Sequence, residues 1–462
     1  MPKLSSYYLP GLYVEDHSVE VPLDWRGTEP ERAAADGLPA DERIHVFYRT
    51  VCTPENVGRD LPLLVFLQGG PGGQGPRLLS PASDGWIAEA IKHFRVVLPD
   101  QRGTGRSEHA SAKSIARRGD AYAQADYLKR LLARSIVRDL EYIRLTEFGG
   151  RAWTTLGQSY GGFLTLTYLS FYPQGIAASF TCGGIPHVPA SAADVYAHTF
   201  PHMAAKTRAY YARYPEDEDR MAAVADRLAT GDVTLPDGSP LTPRRLQTLG
   251  GGLGMKPAPE RLHNLLDTAF ETGDGSPACA GSTPELTDAF LMAALQNLTT
   301  AGNPLYWTLQ EFIYANGTLD APIRWAAEHE YARHPEFDAA ARPLMLTGEA
   351  AFPFMFENDP LLAPLKPAVD LLMEDTEFDE IYDERQLAAN EVPLQAAVYF
   401  EDLYVDSGLQ LDTLSRVATS HAWVTNEFEH DGLHGSVVFA HLFEEALGRG
   451  DLERALRAQP RV

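Results

Sequence analysis

Leu156-Gly157-Gln158-Ser159-Tyr160-Gly161-Gly162 is the stretch that decides the fold. A β-prone run at 151–155 precedes it, and an apolar run suited to a helix follows at 163–169. Glycines on both sides of the serine let a strand and a helix pack closely around a tight turn, with the hydroxyl held at its apex. The pattern Gly-x-Ser-x-Gly in this setting predicts a nucleophilic serine at Ser159. Because so short a pattern also arises by chance, the rest of the chain has to support it.

The overall composition describes an acidic globular protein. The chain has 462 residues, of which 44% are hydrophobic and 22% are charged, and its formal net charge is −24. Nucleic acids and anionic membranes attract basic surfaces, so this charge argues against both as partners. The sequence has no apolar run of membrane-spanning length and no apolar segment of the signal-peptide type near its start. We therefore expect a cytoplasmic protein.

Three cysteines, Cys52, Cys182 and Cys279, are scattered along the chain. Their number and spacing do not fit a disulfide framework or a zinc cluster. We expect no metal site, and we expect each cysteine to be a small buried apolar residue.

Strands and helices alternate over the first part of the chain. Apolar runs of strand length occur at 61–67, 93–99 and 176–181, short strands are predicted within 7–51 around a loop at 26–41, and a single helix is predicted at 122–147. This alternation predicts an α/β fold: a mostly parallel sheet with helices on both faces.

The middle of the chain is helical in pattern. Helices are predicted at 190–212, 216–229, 260–271, 284–299 and 305–315, with a flexible glycine-rich break at 250–254. Strands return at 392–400 and 422–428, and a last helix follows at about 435–447. We therefore divide the chain into a first core part (1–186), a helical cap insertion (187–390) and a last core part (391–462).

A serine nucleophile needs a base to accept its proton and an acid to orient that base. Asp402 follows the strand at 392–400, and His430 follows the strand at 422–428. The chain order Ser159, Asp402, His430 is that of the α/β-hydrolase layout. Asp406 remains open as an alternative acid, and His434 remains open as an alternative base.

The oxyanion of the tetrahedral intermediate needs two preorganised N–H donors. One candidate is the backbone N–H of Tyr160, directly after the serine at the start of a helix. The second is predicted from Gly69 or Gly70, in a glycine cluster that follows the buried strand at 61–67. The stretch 100–107 also contains glycines, and a tight turn is enough to explain them. This chemistry requires no cofactor.

The assembled residues resemble the proline iminopeptidase (prolyl aminopeptidase) family of α/β-hydrolase serine peptidases, in particular its longer branch with a large cap. The matching stretches in the first part are Gly69-Gly70-Pro71-Gly72, Asp100-Gln101-Arg102-Gly103-Thr104-Gly105-Arg106-Ser107 and Gly157-Gln158-Ser159-Tyr160-Gly161-Gly162. The later matching stretches are 311–315, 347–349, 353–357, 390–393, 402–405 and 423–433. The chain departs from the pattern at Gln68, where many relatives carry His, and at His434, where Arg or Asn is expected.

The resemblance implies that the substrates are peptides with a free N-terminal proline. Such an enzyme binds a secondary ammonium beside a small ring, so carboxylates from the cap are expected to pair with the amine. Glu311 and Glu349 are the predicted amine-binding residues; Glu285 and Glu357 are weaker candidates. Fold does not determine substrate, so an esterase, a lactonase or another small-amide hydrolase remains an alternative, and a hydrolase-like binding protein a third. The oligomeric state is left undetermined.

Overall fold

The computed structural model describes residues 3–273, 275, 279 and 283–457. Its centre is one sheet, in which the strands of the described residues lie in the order β1-β2-β3-β5-β4-β6-β7-β8-β9. The strands are β1 Lys3–Leu9, β2 Leu12–Pro22, β3 Arg43–Cys52, β4 Leu63–Leu67, β5 Arg95–Pro99, β6 Trp153–Gln158, β7 Ile176–Cys182, β8 Leu394–Tyr399 and β9 Ser420–Thr425. The pairings among β1, β2, β3 and β5 are antiparallel, and all pairings from β5 across to β9 are parallel.

The parallel strands are buried because helices cover both faces of the sheet. Every residue of β4, β6, β7 and β8 is buried, in keeping with the lack of charged residues in these four strands. The helices of the core are α1 Pro30–Asp36, α2 Gly85–His93, α3 Ala112–Ala116, α4 Ala121–Lys129, α5 Ala133–Glu147, α6 Tyr160–Phe171, α17 Ser407–Leu414, α18 Val438–Arg449 and α19 Glu453–Leu456. The α/β-hydrolase fold predicted from the sequence is thereby confirmed.

The described residues between β7 and β8 form helices and connecting turns, with only isolated β-bridges among them. These helices are α7 Ala192–Arg213, α8 Glu216–Leu228, α9 Pro243–Gln247, α10 Ala258–Asp267, α11 Asp288–Leu298, α12 Leu305–Leu309, α13 Ala326–Tyr331, α14 Met355–Asn358, α15 Lys366–Met373 and α16 Glu384–Ala388. We call this helical region the cap; its boundaries at 187 and 390 stay a prediction. No helix in the part of the chain that the structure describes is long and apolar enough to cross a bilayer.

The predicted helix at 122–147 is two helices, α4 and α5, separated by a turn at 130–132. The reason is a long-range contact: the backbone carbonyl of Arg130 accepts a hydrogen bond from Arg102 Nη1 at 2.8 Å. In a continuous helix that carbonyl would accept the N–H four residues later instead. The apolar spacing of the segment contains no sign of this break.

Three further predictions were wrong in detail. The predicted loop at 26–41 contains α1, which starts at Pro30, a residue suited to a first helical turn. The helix predicted from 284 starts at Asp288, because the Thr287 hydroxyl caps it by accepting the N–H of Phe290 at 3.0 Å. Cys52 and Cys182 are buried as predicted, but Cys279 is exposed.

Candidate active site

Ser159 lies at the junction of β6 and α6, in a backbone conformation that few non-glycine residues adopt. Its φ is 53° and its ψ is −125°, and its own N–H donates to the carbonyl of Cys182 at 3.1 Å. A Cβ at Gly161 would collide with the carbonyl of Leu67, so the turn needs glycine there. The sequence pattern therefore produces a strained, tightly packed turn of the kind found at functional sites, with the serine 8% exposed.

The predicted site residues meet at one edge of the sheet. Gly69 lies just past the end of β4, Ser159 follows β6, Asp402 lies beyond β8 and His430 lies beyond β9. Because these strands are parallel, their carboxyl ends share an edge, which is where α/β proteins bind ligands.

Asp402 and His430 form a buried pair. His430 Nδ1 lies 2.8 Å from Asp402 Oδ2, and the two residues are 4% and 0% exposed. The other carboxylate oxygen of Asp402 accepts the backbone N–H groups of Tyr404 at 2.8 Å and Val405 at 3.1 Å. The carboxylate is therefore held in place from both sides, and it orients the imidazole with Nε2 as the free nitrogen.

The electrostatic surroundings of His430 favour its protonated form. Burial acts to lower the pKa of His430, but the Asp402 carboxylate, with smaller contributions from Glu349 and Asp431, outweighs it, so the net pKa is raised above the ordinary value. An imidazole with a raised pKa is a stronger proton acceptor, and its imidazolium is stabilised when it forms.

Two consecutive glycines after β7 separate Ser159 from Asp402. A Cβ at Gly183 would lie 3.1 Å from Asp402 Oδ2, and one at Gly184 would lie 3.0 Å from the backbone nitrogen of Ser159. Asp402 and Ser159 thus approach the end of β7 from its two sides. Side chains at these positions would force them apart, so the glycine pair belongs to the construction of the site.

The two alternative assignments left open by the sequence have other partners. Asp406 caps α17 by accepting the N–H of Leu409 at 2.8 Å, and its second oxygen lies 2.9 Å from His202 Nε2. His434 Nδ1 lies 3.1 Å from Asp84 Oδ1, beside α2. The geometry therefore favours Asp402 over Asp406 as the acid and His430 over His434 as the base.

The glycine loop after β4 lies against the serine. A Cβ at Gly69 would be 3.0 Å from Ser159 Cβ, so this backbone passes directly beside Ser159. The N–H of Gly69 donates to the side-chain oxygen of Gln68 at 2.8 Å. For Gly70, by contrast, no acceptor of its N–H is found among the described residues. Of the two candidates, Gly70 is the donor more free to bind an oxyanion.

The Asp100-Gln101 stretch does more than turn the chain. Gln101 Nε2 donates to the carbonyl of Gln68 at 2.8 Å and so fixes the start of the glycine loop. Asp100 is fully buried and accepts the N–H of Gly75 at 3.0 Å and both terminal nitrogens of Arg77 at 2.8 and 2.6 Å. Both side chains therefore hold the loop that carries Gly69 and Gly70.

Glu349 reaches the site from the cap. Its pKa is raised by burial, and it interacts electrostatically with both His430 and Asp402. The Tyr306 hydroxyl donates a hydrogen bond to its carboxylate. The side chain is only half-buried. Glu349 is thus an acidic group near His430 that still has an accessible surface.

Glu311 has a different environment, because it lies between α12 and α13 and is only 1% exposed. Its two carboxylate oxygens accept the N–H groups of Ala326 at 2.8 Å and Ala327 at 3.0 Å, at the start of α13. Burial raises its pKa to about 8, against the opposing effect of these two donors. The Glu311 carboxylate therefore has a structural role, because it accepts the first N–H groups of α13.

The two glutamates share a tyrosine-rich neighbourhood. Burial raises the pKa of Tyr196 and of Tyr314, and Glu311 and Glu349 both add to each shift through their charge. The weaker candidates Glu285 and Glu357 are both exposed, and the Glu285 carboxylate lies 3.8 Å from Arg227. Glu311 and Glu349 are thus the two brought close to the same aromatic groups.

Several residues that support the site were not predicted from the sequence. The sequence around Tyr306 does not indicate its contact with Glu349, because the two residues are 43 positions apart. Asn303, from the cap, donates to the carbonyl of Pro71 at 2.8 Å and supports the glycine loop. Gly183 and Gly184 could have been predicted from the sequence. A glycine pair directly after a buried strand indicates that another part of the chain, or a ligand, approaches the backbone closely there.

Comparison with known proteins places these features in a family. Residues 62–220 match the family model of the alpha/beta hydrolase fold. A proline iminopeptidase of Aeromonas sobria is 41% identical over 434 residues, which cover 92% of this chain and 94% of the relative. A proline iminopeptidase of Aspergillus aculeatus is 32% identical over 404 residues, covering 86% of this chain and 87% of the relative. With this identity over nearly the full length, the chain belongs to the proline iminopeptidase family of α/β hydrolases.

Proposed function

We propose that the protein is a serine aminopeptidase that releases proline from the N-terminus of peptides. The observation that carries the proposal is the buried Asp402–His430 pair at 2.8 Å, at the same sheet edge as Ser159 on its strained turn. Membership in the proline iminopeptidase family supports the choice of substrate. The acidic and aromatic cap surface around Glu349 supports it independently.

In the acylation step, Ser159 Oγ attacks the carbonyl carbon of the N-terminal proline. His430 Nε2 accepts the hydroxyl proton, and Asp402 stabilises the imidazolium that forms. The oxyanion accepts hydrogen bonds from the N–H of Tyr160 and from the glycine loop, where we assign Gly70 as the donor. The tetrahedral intermediate then breaks its carbon–nitrogen bond, and the leaving amine takes the proton from His430.

Deacylation reverses the roles of the same groups. A water molecule gives a proton to His430 Nε2 and attacks the prolyl ester on Ser159. The ester bond breaks, the proton returns to Ser159 Oγ, and free proline leaves. The protons and bonds balance without a redox step, so these side chains and water suffice for the chemistry.

Recognition of the free N-terminus is assigned to the cap. The prolyl nitrogen is a secondary ammonium, which a carboxylate in a poorly solvated site binds strongly. Glu349 is the better supported partner because it is half-buried and interacts electrostatically with His430. Glu311 remains proposed as the second carboxylate. Tyrosine rings around both offer faces for the pyrrolidine ring and its charge.

The test compares three substrate types on the wild type and on Ser159→Ala. Proline p-nitroanilide has the free amine, N-acetylproline p-nitroanilide lacks it, and a short p-nitrophenyl ester tests general hydrolase activity. We expect turnover of the first, at least about a hundredfold less of the second, and loss of about 10⁶ in kcat in Ser159→Ala. Equal turnover of the free and acetylated anilides would overturn the aminopeptidase assignment. Hydrolysis of esters alone would establish the esterase alternative.

A further inference from the structure

The loop that carries His430 is attached to the cap as well as to the core. The cap helix α7, Ala192–Arg213, passes over it. Lys206 Nζ lies 2.6 and 2.8 Å from the two carboxylate oxygens of Glu429, the residue directly before His430. His202 lies four residues before Lys206, on the same face of α7. Its Nε2 is 2.9 Å from Asp406 Oδ2, and Asp406 follows the acid Asp402 by four residues. One helix face therefore contacts the loops of both the acid and the base.

A second cap segment contacts the same loop. The glycine-rich segment 250–254, predicted to be a flexible break, places the carbonyl of Gly254 3.0 Å from the backbone nitrogen of His430, which donates to it. The N–H of Lys256 donates to the Asp431 carboxylate at 3.2 Å, and Lys256 Nζ donates to the carbonyl of Glu427 at 2.7 Å. Glu429, His430 and Asp431 are thus each bound to the cap.

Within this attachment, the Lys206–Glu429 pair consists of two charged side chains that are largely shielded from water. The two side chains are only 15% and 19% exposed. Lys206 Nζ also lies 3.9 Å from Glu401, beside Asp402. A desolvated pair of this kind is expensive to break, because the remaining charge is left without a partner. Loss of Lys206 would leave the Glu429 carboxylate free to turn towards solvent and to move the loop with it.

We propose that Lys206 is a positioning residue that holds the His430 loop through Glu429, so that the base is aligned only while the cap is seated on the core. The proposal rests on the proposed function insofar as His430 is the base for Ser159. It makes the cap, which also carries Glu349, responsible for both amine recognition and base alignment. Amine recognition and base alignment then both depend on the contact between the cap and the core.

The central experiment measures Lys206→Met, with Lys206→Arg as the conservative variant. Misplacing the base by a fraction of a hydrogen-bond length affects every substrate alike, so kcat should fall about ten- to a hundredfold on both proline p-nitroanilide and a short aryl ester. KM should change little, because the amine site is not altered. Lys206→Arg keeps the charge and should recover kcat to within about threefold. The double variant Lys206→Met/Glu429→Gln should recover part of the loss, since no charge is left unpaired.

A matched control lies on the same helix. Arg213, near the end of α7, pairs with Glu260 of α10 at 2.6 Å, entirely within the cap. Arg213→Met should leave kcat unchanged on both substrates. Thermal unfolding of every variant separates a global loss of folded protein from a local loss of alignment. Unchanged kcat in Lys206→Met, a change in KM alone, or a kcat loss explained by unfolding would each overturn the proposal.

Failure of the proposed function gives a different result. Labelling of Ser159 by a fluorophosphonate probe reports on its activation by His430 without requiring a peptide substrate. If the wild type is labelled but does not cleave proline p-nitroanilide, the aminopeptidase assignment fails, while slower labelling of Lys206→Met still supports the positioning role. If the wild type is not labelled at all, His430 does not activate Ser159 and both proposals fall.

Discussion

Gln101 Nε2 donates a 2.8 Å hydrogen bond to the backbone carbonyl of Gln68, across the gap between the ends of β5 and β4. The bond connects the Asp100-Gln101 turn to the loop that passes beside Ser159. Gln101 is buried. The proposed oxyanion site consists of backbone N–H groups, so it needs the loop held in place, and Gln101 is one of the groups that hold it.

Gln101→Met should impair catalysis without preventing folding. Methionine fills a similar volume but cannot donate to Gln68, so the glycine loop loses one of its fixed points. We expect kcat to fall about tenfold on anilide and ester alike, less than the hundredfold or more that follows the loss of an oxyanion donor itself. Steady-state kinetics with a thermal unfolding curve checks this. A kcat equal to that of the wild type would show that the bond is dispensable for the loop.

Asp402→Asn should be far more damaging than Asp406→Asn. Asparagine at 402 can present an N–H to His430 Nδ1 and so favours the wrong tautomer, which predicts a fall in kcat of about 10⁴. Asp406 caps α17 and contacts His202, and asparagine caps helices nearly as well. Asp406→Asn should therefore keep kcat within about threefold. If instead Asp406→Asn showed the larger loss, the acid would have to be reassigned.

The pH dependence of ester hydrolysis tests the environment of His430. The proposed base His430 acts in its neutral form, so kcat/KM is expected to rise with pH through the pKa of His430 in the free enzyme. Burial alone would move this rise below the ordinary histidine value of about 6.5, whereas Asp402 and its neighbours raise the pKa. We expect the midpoint above about 6.5. A neutral ester is required, because the prolyl amine of a peptide substrate titrates as well; a midpoint below that value would contradict the dominance of Asp402.

The positions of the candidate site residues at one sheet edge could be predicted from the sequence, because each residue follows a detectable element. Ser159, Asp402 and His430 each come after an apolar run of strand length, and parallel strands bring such positions to one edge. The surroundings of Glu311 could not be predicted in this way. Its partners, Ala326 and Ala327, are defined only when α13 packs against the segment after α12. The break between α4 and α5 was hidden for the same reason, since it depends on Arg102, which is distant in sequence.

Arg102 should be a strong determinant of stability. Its guanidinium binds both carboxylate oxygens of Asp139 at 2.7 and 2.5 Å in a site where both side chains are buried. Arg102→Met would leave Asp139 buried without its cation, which predicts a loss of about 3–5 kcal/mol in the free energy of unfolding. The exposed Arg26–Asp24 pair provides the control, and Arg26→Met should cost less than about 1 kcal/mol. Denaturant midpoints of the two variants make the comparison, and equal shifts would refute the assignment.

Glu349→Gln and Glu311→Gln should separate amine binding from helix support. Glutamine at 349 keeps a hydrogen-bond acceptor for Tyr306 but loses the charge that we propose pairs with the prolyl ammonium. We expect kcat/KM for proline p-nitroanilide to fall at least about thirtyfold, equivalent to about 2 kcal/mol, while ester hydrolysis is maintained.

At position 311 the glutamine NH₂ group would face the N–H groups of Ala326 or Ala327, so Glu311→Gln should lower the unfolding temperature. If it also lowers anilide turnover but not ester turnover, Glu311 binds the amine; if both fall together, its role is structural. Should neither variant discriminate between the two substrates, the ammonium is bound elsewhere and the assignment of both glutamates is wrong.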